Sequence, residues 1–161
     1  MIFLSLGTNI GQKKTNLDTA LSIFRKDNLI KLIKKSKTYI TSPMENKNQD
    51  YFLNQVILVK TNLLPYDLLN YVKSIEMKMG RKVTKQKFMP RIIDIDILVY
   101  NTMIYNNNKL VIPHPKIKQR KFVLKPWNDI APDYVIPNEN QSIGSLLRKI
   151  LIKQDLVEEF I

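Results

Sequence analysis

The sequence contains no cysteine, so disulfides, thiolate metal sites and a cysteine nucleophile are all excluded. Histidine occurs once, at His114, and one histidine cannot supply a metal triad. Glycine is scarce: of the four present, Gly7 and Gly11 stand near the start without GxGxxG or Walker spacing, so no phosphate loop is read there. Long apolar runs are missing too. The opening MIFLSLG has no basic leader and is too short for a signal peptide or a membrane span, so a soluble, cytoplasmic protein is expected. No internal repeat, linker or low-complexity tract beyond the asparagine triplet Asn106–Asn108 breaks the chain. Acids are the last shortage. They number 14 against 26 Lys plus Arg, a formal charge of +12, and between Glu76 and Asp129 the only ones are Asp94 and Asp96.

What is present suits one globular unit. At 161 residues, 44% hydrophobic and 25% charged, the chain has ordinary globular composition, and a single domain spanning 1–161 is expected. A domain of this size buries about 70% of the surface its unfolded chain exposes. The positive charge attracts polyanions such as nucleotides, nucleic acid or an anionic membrane. A lysine-, asparagine- and isoleucine-rich composition gives the same excess without any function, so charge alone does not decide.

The two isolated aspartates follow a basic stretch. Lys78, Arg81, Lys82, Lys85, Lys87 and Arg91 lead into Asp94 and Asp96 within Ile92–Tyr100, a run of strand composition. The period of two places both carboxylates on one face, with Ile93, Ile95 and Ile97 on the other. Same-face neighbours lie roughly 6 to 7 Å apart, where like charges repel by about 2 to 3 kcal/mol at an effective dielectric near 20. Two things relieve that repulsion: a structural cluster of arginine or lysine, or a divalent cation. Mg²⁺ suits the second reading, since it takes one or two carboxylates and completes its shell with phosphate and water oxygens. Downstream, Lys109, Lys116, Lys118, Arg120, Lys121 and Lys125 form a second acid-free basic stretch around His114, as a metal–polyphosphate site requires.

Along the chain, Ile2–Leu6 reads as a buried strand and Gln12–Phe24 as a helix with Leu17, Ala20, Leu21 and Phe24 on one stripe. Leu29–Ile40 reads as a lysine-guarded edge strand, residues 41–50 as a loop, and Tyr51–Lys60 as a strand with Phe52 and Asn54 on one face. A buried Asn54 amide needs partners, from neighbouring backbone or from a ligand. Leu64–Met79 is a helix with Pro65 in its first turn and Gly80 at its stop. The order strand, helix, strand, strand, helix, strand implies an α+β, ferredoxin-like βαββαβ core, with both helices on one face of an antiparallel sheet and the other face free for a site. A C-terminal extension ends in a helix carrying Ile143, Leu146, Leu147, Ile150 and Leu151.

The segments SLGTNIG, YFLNQV, IEMKMGR, KFMPRIIDIDIL, IPHP and RKFVLKPWNDIAP, in that order, resemble the 6-hydroxymethyl-7,8-dihydropterin pyrophosphokinases of folate biosynthesis. The resemblance implies the same ferredoxin-like fold and transfer of diphosphate from ATP to the pterin hydroxymethyl oxygen, releasing AMP. By that likeness Asp94 and Asp96 hold two Mg²⁺ ions, and Arg81 and Arg91 are catalytic. The same likeness assigns Glu76, Phe88, Arg91, Ile97, Lys109, His114 and Arg120 to ATP. It assigns Thr41, Pro43, Met44, Phe52, Asn54 and Phe122 to the pterin, where aromatic faces and an amide suit a flat heterocycle. The chain departs from the family pattern at Val83, Met89 and Val111. The lysines of 82–88 are expected to close over bound nucleotide.

Two rivals remain at the level of sequence. An RNA-binding module of the same βαββαβ order fits the charge but lacks its aromatic signature, and an aspartate pair on its open face repels phosphate. Another two-metal nucleotidyl-transfer enzyme also uses paired carboxylates. The expectation carried forward is a monomer acting on ATP and the pterin, with no nucleic acid and no membrane.

Overall fold

In the computed structural model, residues 1–44, 47–81, 89–150 and 156–161 are described. The first half of the chain alternates as its sequence pattern requires. Strand β1 (Ile2–Thr8) leads into helix α1 (Lys13–Lys26), which buries Leu17, Ala20, Leu21 and Phe24. Strands β2 (Ile30–Lys35) and β3 (Tyr39–Thr41) follow, then the long β4 (Phe52–Thr61). The single edge strand expected over Leu29–Ile40 is thus broken in two. At the break the Ser36 hydroxyl accepts from the Val56 amide at 3.0 Å, so a side chain enters the ladder where a carbonyl belongs. Helix α2 (Pro65–Lys78) starts at Pro65, whose missing N–H costs nothing in a first turn, and stops before Gly80 at φ 92°. Strand β5 (Asp94–Tyr100) completes the core.

The main sheet runs β5-β1-β4-β3, with β2 also on β4, and its βαββαβ pairings are antiparallel. Helices α1 and α2 cover one face, where Leu4, Leu6, Ile57, Ile95 and Ile97 meet Leu17, Phe24, Leu68 and Val72. This is the ferredoxin-like α+β arrangement that the element order implies.

The second face was expected to be free, and only part of it is. After β5, a hairpin of β6 (Tyr105–Asn106) and β7 (Val111–Ile112) leads through a 3-10 turn at Ile117–Gln119 to α3 (Lys121–Ile130) and α4 (Ile143–Lys149). These two helices lie over Phe3, Val56, Leu98 and Val99, with the Trp127 ring centred 5.0 Å from Phe3 and 5.8 Å from Tyr134. An apolar half-face must be covered, and α3 and α4 cover it. Sequence reading passed over α3 because Pro126 sits inside it, where proline ordinarily breaks a helix. Leu151, expected in the last helix, lies outside the described residues. The chain returns as β8 (Val157–Glu159), a strand with no sequence forecast, paired to β3. No described helix is long and apolar enough to cross a membrane.

Candidate functional site

The uncovered end of the second face is polar because the sequence places small and charged residues there at the strand period. Ser5 pairs with Asp96 across β1–β5, and Gly7 lies between Asp94 on one side and Asn54 on the other. Here a cavity of about 180 Å³ opens. One half is ionic, with Asp94, Asp96, Arg91 and Arg120. The other is apolar with polar points, formed by Phe52, Phe122, Pro43 and Met44 around Thr41 and Asn54. Gly7 matters at this junction: a Cβ there would stand 2.9 Å from Asn54 Oδ1, so a side chain at this position and Asn54 in its present place are incompatible. Asn54 is 3% exposed, and its Nδ2 donates to Thr41 Oγ1 at 2.7 Å. Its partner is therefore another cavity residue, not neighbouring backbone.

The aspartates are ion-paired. Nη1 of Arg81 and Nη1 of Arg91 each approach an Asp94 carboxylate oxygen at 2.5 Å, and Arg120 Nη1 lies 3.3 Å from Asp96. Burial pushes the Asp94 carboxyl upward, but Arg91, Arg81 and Lys73 together outweigh it and hold Asp94 below the ordinary aspartate range. Behind this pair Glu76, 2% exposed on α2, accepts from the Ile95 amide at 2.7 Å and Lys73 Nζ at 2.8 Å, and pairs with Arg81 at 2.6 Å. Burial is the larger influence there and pushes Glu76 above its ordinary value despite Lys73.

His114 accepts the Lys116 amide on Nδ1 at 3.1 Å, with Nε2 3.5 Å from Arg120 Nη1. Burial lowers its pKa, opposed by Asp96 and assisted by Arg120.

Of the site residues that the family resemblance assigns, ten line the cavity: Thr41, Pro43, Met44, Phe52, Asn54, Arg91, Asp94, Asp96, Arg120 and Phe122. Arg81 joins them through Asp94, and Glu76 stands behind Arg81. Ile97 is buried in the core on the α1–α2 side, Lys109 sits 5.8 Å from the centre of the Tyr66 ring, and His114 stands beside the same Arg120 Nη1 that reaches Asp96. Phe88 and the expected closure of 82–88 lie outside the described residues.

Asn9 is a further residue of the site that no sequence pattern singles out. It is 2% exposed, and its backbone N–H and both side-chain polar atoms are engaged: its N–H donates to Arg91 O at 3.1 Å, Oδ1 accepts the Arg91 amide at 2.8 Å, and Nδ2 donates to Gln49 Oε1 at 3.0 Å. Asn9 thereby ties the arginine of the ionic half to Gln49, which lines the cavity from the β3–β4 loop. Gly7 carried a signal, since glycine inside a strand marks close approach. Asn9 and Gln49 carried none.

Among the described residues no group of three or more His, Cys, Asp or Glu gathers to hold a metal. The donor set is two hard carboxylates on one strand face. That set suits Mg²⁺ when the remaining ligands are phosphate and water oxygens.

Fold and cavity together define an α+β protein with a cavity whose carboxylate–arginine half adjoins an apolar half that carries an amide and two aromatic rings. The family profile described as 7,8-dihydro-6-hydroxymethylpterin-pyrophosphokinase (HPPK) matches residues 3–132, and the chain belongs to that family. It is 38% identical to the 2-amino-4-hydroxy-6-hydroxymethyldihydropteridine pyrophosphokinase of Methylorubrum extorquens, over 95% of this chain and 92% of that one. Against the folic acid synthesis protein fol1 of Schizosaccharomyces pombe it is 40% identical over 92% of its own length but spans only 20% of the relative. A crystal structure of wild-type Plasmodium falciparum HPPK-DHPS shares the fold, with a TM-score of 0.74 at 22% identity over 92% of this chain and 44% of that one.

Proposed function

We propose that the protein transfers diphosphate from ATP to the hydroxymethyl oxygen of 6-hydroxymethyl-7,8-dihydropterin, releasing AMP. The observation that carries this reading is the divided cavity, in which the carboxylate–arginine cluster adjoins Asn54, Phe52 and Phe122 across Gly7. The pterin ring lies between the two phenylalanines, with Asn54 and Thr41 on its hydrogen-bonding edge. Its hydroxymethyl group then points toward Asp94 and Asp96.

Asp94 and Asp96 would hold Mg²⁺ on the triphosphate. When bound, Mg²⁺ supplies positive charge to the phosphate oxygens. Arg81 and Arg91, which pair with Asp94, would turn to phosphate oxygens and stabilise charge on the group in transfer. Glu76 keeps Arg81 anchored as it turns. His114 accepts a backbone amide at Nδ1, which assigns its proton to Nε2 and leaves a donor beside Arg120 for an anion. The hydroxymethyl oxygen forms its bond to the β-phosphorus as the bond from that phosphorus to the bridging oxygen breaks, and AMP leaves with that oxygen. The hydroxyl proton passes to water. Positioning and electrostatics carry the rate, as phosphoryl transfer permits. In this reading Lys109 and Phe88 serve the nucleotide, Ile97 is left only its backbone for that role because its side chain is in the core, and Pro43 and Met44 shape the pterin wall. Residues 1–161 act as one pyrophosphokinase domain, a cytoplasmic monomer using neither nucleic acid nor membrane.

Incubating the protein with ATP, Mg²⁺ and the pterin and identifying the nucleotide product tests the reaction. AMP formed only when the pterin is present is expected. ADP, or AMP formed without the pterin, overturns it.

A further inference from the structure

The family profile ends at Pro132, yet the chain continues and returns to the cavity. β8 pairs antiparallel with β3, Thr41 opposite Val157, Ile40 opposite Glu158 and Tyr39 opposite Glu159. The pairing extends past β3 as a two-point contact with one residue. Ser42 N–H donates to Leu156 O at 3.1 Å, and Leu156 N–H donates to Ser42 Oγ at 3.2 Å. At the other end Phe160 N–H donates to Thr38 O at 2.9 Å, and Lys37 Nζ pairs with Glu159 at 2.8 Å.

What this strand holds is specific. β3 is three residues long and pairs with β4 over three positions. Its last residue, Thr41, accepts from Asn54, and Ser42, Pro43 and Met44 continue the same cavity wall. Without β8, β3 would be a three-residue edge strand whose exit is held on one side only. The carboxylate strand β5 stands at the opposite end of the sheet order β5-β1-β4-β3-β8. β8 therefore adjoins the Thr41–Met44 wall directly and is separated from the carboxylate strand by three strands.

We propose that Leu156 and β8 position the Thr41–Met44 wall, setting affinity for the flat-ring substrate without taking part in nucleotide binding or transfer. Leu156 is a positioning residue, since it touches Ser42 and no cavity surface. The inference rests on the proposed reaction for the identity of that substrate, while the strand contact itself stands independently of it.

The test uses the full chain with Leu156→Pro, which removes the N–H that Ser42 Oγ accepts. Losing one such hydrogen bond corresponds to a rise of about tenfold or somewhat less in pterin KM. KM for ATP and kcat at saturating pterin should not change. An unchanged pterin KM in a folded variant overturns the proposal, as does an equal rise in both KM values. If Leu156→Pro does not fold, Phe160→Pro removes the N–H donated to Thr38 O at the other end of the strand and should raise pterin KM in the same direction by a smaller factor; no rise overturns the idea. Should the parent protein fail to make AMP, the reaction assignment falls alone. The strand contact is then read by hydrogen exchange: Thr41 and Ser42 amides should exchange faster in the variant while Ile95 is unchanged, and equal exchange at all three overturns it.

Discussion

Asp94 is paired with two arginines, and that alters what its removal does. The repulsion expected between Asp94 and Asp96 is already offset by Arg81, Arg91 and Arg120, so deleting Asp94 takes the carboxylate partner from Arg91, leaves Arg81 with Glu76 alone among the described acids, and relieves nothing. Asp94→Asn should abolish turnover and cost about 1 to 2 kcal/mol of stability. That is less than the 3 to 5 of a fully buried pair, because these groups keep some access to water. Its folded pKa is depressed, so its contribution is complete above the ordinary aspartate pKa and lost as pH falls through the lower folded value. Urea unfolding at several pH values should show the gap between parent and Asp94→Asn narrowing below pH ~4; a constant gap contradicts the assignment. Glu76, raised by burial, acts with the opposite sign, destabilising the fold as it ionises.

Gly7 gives a second residue-scale test. Gly7→Ala places a methyl 2.9 Å from Asn54 Oδ1, so Asn54 must shift, and the edge contact to the ring should weaken by about 1 to 3 kcal/mol. Calorimetric titration should find the loss in pterin affinity and not in ATP-analogue affinity. Equal losses for both ligands place the effect in folding.

At the scale of elements, the junctions carry the site. Asn9 at the exit of β1 grips the backbone of Arg91 ahead of β5 and the side chain of Gln49 ahead of β4. Asn9→Ala should lower kcat/KM by about tenfold or more, as misplacing an oriented group does. Asn9→Asp keeps the acceptor for the Arg91 amide and should recover part of the loss; no recovery in steady-state kinetics contradicts that division of labour. Helix α3 depends on its own buried anchor. Trp127→Ala removes a fully buried ring between Phe3 and Tyr134 and should cost about 3 to 5 kcal/mol in denaturant unfolding. Because Arg120 and Phe122 enter the cavity from the start of α3, activity should fall even where the variant is folded.

For the whole molecule, the +12 charge acts at a distance. ATP is a polyanion and the pterin is uncharged, so long-range attraction favours only the nucleotide. Raising salt from 50 to 500 mM should lower kcat/KM for ATP several-fold with little change for the pterin, because screening shortens the Debye length from about 14 to 4 Å. Matched changes for both substrates would remove steering as the function of the charge.

The sequence by itself determined the βαββαβ order, the burial stripes of α1 and α2, the shared face of Asp94 and Asp96 on one strand, and that of Phe52 and Asn54 on another. These follow from helical and strand periods, which are local and visible in a few residues. Tertiary structure alone decided that Asp94 is neutralised by Arg81 and Arg91, that Asn9 ties Arg91 to Gln49, that α3 and α4 cover half of the second face, and that β8 returns to hold Thr41 and Ser42. Each joins segments far apart in the chain. No period encodes such a meeting; it forms because apolar half-faces must be buried and buried polar groups must find partners, whatever their distance in sequence.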